Sequence, residues 1–176
     1  MISPNKDSTG KPEPELLPAR TAARMAAVQA LYQMDLAGTD INDVIDEFLR
    51  LRMSAEPADS DDTKTQSAQG ADRVFFADIL RGVLRRQREI DPLVNDQLAT
   101  GWRLVRVDAI LRAVLRAGVC ELLERADVPA RVVINEYINV AHFFFSEDEP
   151  KVVNGVLDKI ARRVRAPEFE AKRGTS

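Results

Sequence analysis

Large aliphatic residues recur along this chain at the spacing of one helix face, and no run alternates at the spacing of a strand. From Val107 onward, Ile110, Leu111, Val114, Leu115, Val119, Leu122 and Leu123 follow at intervals of mostly three and four residues. They cover more than one face, which predicts a central buried helix over about 106–125. Aromatic residues are only 6% of the chain. That scarcity argues against a β-sandwich, whose strands favour aromatic and β-branched side chains.

The same spacing places the other helices. Ala23, Ala27, Ala30, Leu31 and Met34 predict a helix from about Arg20, stopped by Gly38. Asp40 is placed to cap a second, with the stripe Ile41, Val44, Ile45, Phe48 and Leu49. A third starts near Asp72 and buries Val74, Phe75, Ile79, Leu80, Val83 and Leu84. Asp91-Pro92 reads as a cap followed by proline at the first helical position, which predicts a separate short helix over about 91–99. Gly101 ends it, and Trp102 and Leu104 are expected to anchor the following connection. Asp127 and Pro129 open a helix with the stripe Val133, Ile134, Tyr137, Ile138 and Ala141. Ser146, with Glu149 three residues on, has the spacing of a capping box for a last helix carrying Val152, Val153, Val156, Leu157, Ile160 and Val164. The expectation is an all-α fold of about seven helices in two packed layers, divided at the acidic loop.

Three stretches lack such a pattern. Residues 1–19 are rich in Pro, Lys, Glu and Ser and read as a disordered tail. Residues 53–71 are polar and acidic, with Met53 as the only large apolar side chain, and read as a disordered loop. Residues 166–176 read as a polar C-terminal tail, leaving 20–165 as the helical domain.

Charge is unevenly spread. The net charge is −3, yet residues 1–70 carry seven basic against twelve acidic side chains and residues 71–176 are slightly basic. A local patch, not the total, decides whether phosphate is attracted. One Cys and one His exclude an internal disulfide and a Cys/His zinc cage, and a single thiol fits a reducing cytoplasm. No run of 18 apolar residues is present, and the N-terminus has no apolar core, so neither a membrane span nor a secretory signal is expected.

Catalytic chemistry has no visible constellation. His142 stands on a helix without a Ser or Cys nucleophile nearby in sequence, and Cys120 sits among Val119, Leu122 and Leu123 as a buried structural thiol. No glycine-rich phosphate loop or dinucleotide fingerprint occurs, so neither enzyme activity nor cofactor nor metal is expected. Binding is the better reading. Arg20 and Arg24 lie four residues apart at the start of the first helix, where guanidinium groups pair with phosphate and stack on bases. Read as surface residues, they predict that Arg24→Glu weakens RNA binding and leaves the fold intact. Tyr32, two turns on, offers a stacking face or a core ring with its hydroxyl at the surface. Asn135, Glu136 and Asn154 stand beside apolar stripes and read as partners in interhelical hydrogen bonds. Gly155, inside a helix, costs roughly 1 kcal/mol relative to Ala; close helix–helix approach is the expected compensation. Arg162, Arg163 and Arg165 read as cations complementing a helix C-terminus.

Four segments in order carry a resemblance: Ala27-Val28-Gln29-Ala30-Leu31-Tyr32; Trp102-Arg103-Leu104 leading to Val107-Asp108-Ala109-Ile110-Leu111-Arg112; Val128-Pro129 to Ile134-Asn135-Glu136; and Val153-Asn154-Gly155-Val156-Leu157-Asp158-Lys159. Over about residues 20–165 the chain resembles the NusB family of bacterial transcription antitermination factors. The resemblance implies a helical fold of two small bundles, no enzymatic activity, and NusE, a ribosomal protein, as partner. It implies binding of boxA, a short single-stranded RNA element of ribosomal leader transcripts, and assembly with NusA, NusG and RNA polymerase; whether the isolated chain is a monomer or a homodimer stays open. The family's basic N-terminal motif falls on Arg20 and Arg24, and a second RNA-contacting region falls on Asp148, Lys151 and Val152. Two departures stand out. Thr21, Ala22 and Ala23 thin the arginine motif, and Val152 stands where the family commonly has Phe. Two other readings stay open. One is the NusB-like RNA-recruiting domain of an rRNA cytosine methyltransferase, although residues 1–176 contain no downstream catalytic domain; the other is a helical scaffold that binds protein only.

Overall fold

The structure is a computed structural model that describes residues 17–53, 71–98 and 107–170. Among these it has seven α-helices and no strand: α1 (Ala19–Ala37), α2 (Ile41–Glu47), α3 (Arg73–Gln97), α4 (Ala109–Glu124), α5 (Ala130–Phe144), α6 (Glu149–Val164) and α7 (Ala166–Glu170). A π-helical turn, Phe48–Arg52, follows α2 directly. No helix is long and apolar enough to cross a membrane among the described residues.

Side chains near the chain's own turns set most boundaries. Gly38 takes the left-handed conformation (φ 63°) and donates its N–H to the Met34 carbonyl, ending α1. The carboxylates of Asp40, Asp72 and Asp108 accept from Asn42, Phe75 and Ile110 backbone N–H groups and start α2, α3 and α4. After the acidic loop the chain returns to the start of α1, where the Asp72 N–H donates to the Ala19 carbonyl at 2.9 Å.

α4 is the hub. It packs on α1, α3, α5 and α6, while α1 also meets α5 and α3 meets α6. The helices before and after the acidic loop are not separate groups, because α3 packs on α1. Five of the nine buried residues of α1 are alanine (Ala22, Ala23, Ala26, Ala27 and Ala30), which favours close approach of its backbone to α3 and α4. The π-helical turn places Phe48 fully inside, stacked on Phe76 with ring centroids 5.6 Å apart. Burying each such ring stabilises the fold by roughly 1.5–3 kcal/mol.

Several expectations are corrected here. Residues 91–97 are not a separate helix: α3 runs through Pro92. Asp91 does not cap, because its carboxylate is held by two nitrogens of Arg116 on α4, at 2.9 and 2.8 Å. Ile90 and Val94, both fully buried, carry the apolar stripe across the proline. The residue preceding α6 is Asp148, not Ser146, and it makes no side-chain cap. Leu17 packs on the core, and residues 166–170 form α7, so both tails are shorter than read from sequence. Trp102 and Leu104, residues 1–16, most of the acidic loop (54–70) and 171–176 lie outside the described residues.

Candidate nucleic-acid interface

Arg20 and Arg24, one helical turn apart, have opposite surroundings. Arg20, in the first turn of α1, has a side chain 44% exposed; its guanidinium lies 3.8 Å from Asp72 and 3.7 Å from Asp127. Both are loose ion pairs in solvent, of small energetic weight. Arg24 is 3% exposed and is a core residue. Its Nε donates to Glu121 Oε2 at 3.0 Å and its Nη2 to Oε1 at 2.5 Å, while Nη1 lies 3.5 Å from Glu136. Glu121 is itself 1% exposed. Burial pulls the Arg24 guanidinium down, but the hydrogen bonds and charge of Glu121 outweigh it and hold its pKa above the ordinary value. Tyr137, fully buried nearby, has its phenol pushed well above its usual value by burial and then by the Glu121 charge.

The surface assignment of Arg24 is therefore corrected: it ties α1 to α4 and α5 and faces no solvent. The guanidinium groups of Arg20, Arg24 and Arg125 converge on the Phe75 ring, at 4.7, 4.9 and 5.1 Å from its centre. Cations over the ring face are attracted by its quadrupole. Arg125 also reaches Asp127 at 3.0 Å and Asp78 at 3.8 Å, so the mouth of this cluster mixes both signs of charge.

The turn carrying Arg125 and Asp127 is fastened from the C-terminal end. Arg165, its side chain 10% exposed, donates to the carbonyls of Leu122, Val128 and Arg125 and to Glu168. Glu168 in turn accepts from the Ala130 N–H, capping α5, which has no side-chain cap of its own. Arg165 thus satisfies the carbonyls at the end of α4 and in the turn beyond it, a more specific role than complementing its own helix dipole. Arg162 and Arg163 remain exposed in the last turn of α6.

The other residues singled out from sequence are scattered. Tyr32 is half-buried on α1, twelve residues and about 18 Å beyond Arg20 along the helix axis. Asp148 and Lys151 are each 85% exposed and 3.6 Å apart, and Val152 is 38% exposed. Val152 shares a cleft with Leu111 in the first turn of α4, whereas Arg24 meets Glu121 in its last turn. Ten residues of helix, about 15 Å, separate those two levels. The structure thus brings Lys151 and Val152 together at one end of α4 and Arg20 to the other. Glu136 makes the interhelical bond expected of it, accepting from Thr21 Oγ1 at 2.9 Å. Asn135 and Asn154 are exposed on their helices instead. Gly155 is exposed as well, and a Cβ there would meet nothing within 4 Å. Close approach is made by other glycines: at Gly118 a Cβ would lie 2.9 Å from Leu157, and at Gly82 2.6 Å from Cys120 Sγ. His142 is exposed, Cys120 is buried, and no cluster of His, Cys, Asp and Glu is placed to hold a metal ion among the described residues.

Sequence reasoning missed Glu121 and Arg125, read Phe75 only as a core residue and Arg165 only as a dipole complement. One signal was available for the first. Arg24 and Glu121 each interrupt an otherwise apolar helix face, and two opposite charges so placed satisfy one another.

Comparison with known proteins adds the family. A family profile described as "NusB family" matches residues 21–162. The chain is 53% identical over 150 residues to the transcription antitermination protein NusB of Rhodopseudomonas palustris strain TIE-1, covering 85% of this chain and 83% of that one. To the protein of the same name from Allorhizobium ampelinum it is 49% identical, covering 89% and 94%. Among solved structures, T. maritima NusB superposes with a TM-score of 0.68 at 29% identity, covering 88% of this chain and 99% of that one. The fold also matches a chain from the crystal structure of antitermination factors NusB and NusE in complex with dsRNA, with a TM-score of 0.64 at 23% identity, covering 81% and 96%.

Proposed function

Because the chain belongs to the NusB family, we propose that it is an RNA-binding adaptor of transcription antitermination that works with a NusE-type ribosomal protein on unpaired boxA-like RNA. The observation that carries this reading is the 53% identity to a transcription antitermination protein NusB over 85% of the chain. In this role the protein joins NusA, NusG and RNA polymerase through the assembled complex, and it performs no catalysis.

The arrangement of charge supports a cooperative mode. Arg20 at one end of α4 and Lys151 at the other are exposed cations in weak pairs, available for exchange to phosphate. Tyr32, Asp148 and Val152 stay with them as candidate contacts, and Arg24 is withdrawn to an internal role. Each patch is small, so the isolated chain binds weakly. A partner holding the same RNA raises the effective concentration of both contacts without adding any to this chain.

The test is fluorescence anisotropy of a labelled boxA RNA with the chain alone, with NusE alone and with the co-purified pair. Tight binding by the pair that exceeds both single proteins and a scrambled RNA supports the reading. A pair that binds boxA no better than scrambled RNA overturns it.

A further inference from the structure

The apolar stripe expected for α3 fails at Val74 and Leu84, which are 72% and 42% exposed. Leu84 stands among arginines: four of the eight residues 81–88 are Arg, and no carboxylate occurs between Asp78 and Glu89. The neighbouring carboxylates are already engaged. Glu124 accepts from Arg85 and Arg86, Glu89 accepts from Arg86, and Asp78 lies beside Arg125. Arg81 and Arg88 are exposed and have no ion-pair partner among the described residues. They lie two turns apart on one face of α3, about 10 Å along its axis, with Leu84 between them.

Leu84 is also one wall of a half-open pocket of about 250 Å³ at the junction of α1, α3 and α4. The buried Leu31, Val83 and Ala113 line it together with Met34 and Gln87. Its two charged members are satisfied inside the fold. Asp35 accepts from Arg112 at 2.8 Å, and Arg116 donates to Asp91 at 2.9 and 2.8 Å. The pocket therefore offers apolar contact without an unmet charge of its own, and an unpaired cation stands one turn to either side of its Leu84 wall.

We infer that this face of α3 docks an acidic segment of a partner protein, with one large apolar side chain seated in the pocket and carboxylates on Arg81 and Arg88. Charge complementarity selects the occupant, because guanidinium groups pair bidentately with carboxylates and an apolar anchor in a pocket supplies most of the energy of such contacts. RNA fits less well. No exposed residue of α3 is aromatic, so a base finds no ring to stack on, and a phosphate backbone leaves the pocket empty. The inference is independent of the RNA-binding reading above.

The experiment titrates the isotope-labelled full chain, followed by amide NMR, with a synthetic peptide in which glutamates flank a single leucine at helical spacing. Control peptides replace the leucine by alanine or the glutamates by glutamine, and an oligouridylate serves as the phosphate probe. The glutamate–leucine peptide should shift the amides of Gly38, Thr39, Leu84 and Gln87, all of which line the pocket. Its affinity should fall at least about ten-fold without the leucine, the scale of burying one such side chain. The double variant Arg81→Gln with Arg88→Gln should lose about five-fold, the scale of exposed ion pairs. Both arginines are exposed and unpaired, so the fold is not at stake. The assignment is overturned if the pocket amides do not move, or if binding ignores the leucine or the double variant. An oligouridylate that moves the same amides at lower concentration overturns it in favour of nucleic acid. Shifts that grow with protein concentration alone overturn it in favour of a second copy of this chain. Binding of boxA RNA by the complex with NusE should be the same in the double variant, so the two readings stand or fall separately.

Discussion

Arg24 of α1 grips Glu121 of α4 through two nitrogens, and the two residues are only 3% and 1% exposed. Each charge is tolerated inside because the other is there. Removing one leaves a buried, unpaired charge, which destabilises by about 3–5 kcal/mol. Arg24→Ala is therefore expected to shift the urea unfolding midpoint strongly downward, and Arg24→Glu more so, contrary to what a surface arginine would do. The double variant Arg24→Met with Glu121→Leu should recover most of the loss, because an apolar pair needs no compensation. A change below about 1 kcal/mol for Arg24→Ala would contradict the buried pair.

Alkaline pH should weaken the fold through Cys120. Burial and then the Glu124 charge push its thiol from an ordinary 9.0 up to about 12. Above pH 9 the unfolded chain releases this proton while the folded chain keeps it. The unfolded state then binds fewer protons, so stability falls as pH rises from 9 toward 12. Tyr137, also held neutral by burial, adds a loss of the same sign at higher pH. Denaturant titrations at pH 8, 9 and 10 should show a decline that is shallower in Cys120→Ala; parallel curves would argue against the buried thiol.

Glycine substitutions should diverge in sign. At Gly82 a new Cβ meets Cys120 Sγ at 2.6 Å and Glu124 Oε2 at 2.7 Å, so Gly82→Ala requires the buried thiol and the Glu124 carboxylate to move. Overpacking of this kind typically costs about 1–3 kcal/mol. Gly155→Ala enters open space and should gain up to about 1 kcal/mol of helix propensity. Thermal melts of the two variants check both directions at once.

Arg165 closes the end of α4, and Glu168 starts α5. Arg165→Ala strands several carbonyls near the α4–α5 turn and should destabilise by about 2–3 kcal/mol, given what hydrogen bonds from a charged donor contribute. Hydrogen exchange should quicken first over residues 121–130. Uniform quickening across all helices would point to a global effect and against a local staple.

Periodicity carried most of the fold. The stripes of α1, α5 and α6 are read correctly apart from Val152, because each of these helices buries one side, and that of α4 because it is buried on more than one face. Local signals failed where distant residues overruled them. Asp91-Pro92 looks like a helix start, but Arg116 on another helix claims the carboxylate. Ser146 and Glu149 have the spacing of a capping box that does not form. Gly155 looks like a packing glycine, whereas Gly82 and Gly118 hold that role. The site was less legible. Arg20 and Arg24 are alike in sequence and separated only by which face of α1 meets Glu121, a contact between residues 97 apart. The resemblance in four short segments supplied the family, because partner surfaces leave no periodic trace.

The most direct measurement is the salt dependence of boxA RNA binding by the complex with NusE, for wild type and for Arg20→Gln. Binding carried by exposed cations should weaken along a straight line in log salt, with a slope near 0.7 for each phosphate contacted. Arg20→Gln should lower that slope by about one contact and lower the melting temperature only slightly, since its ion pairs are exposed and its contact with the Phe75 ring is worth about 0.5–1 kcal/mol. A wild-type complex that shows no preference for boxA over scrambled RNA, or an affinity indifferent to salt and to Arg20, would contradict the account.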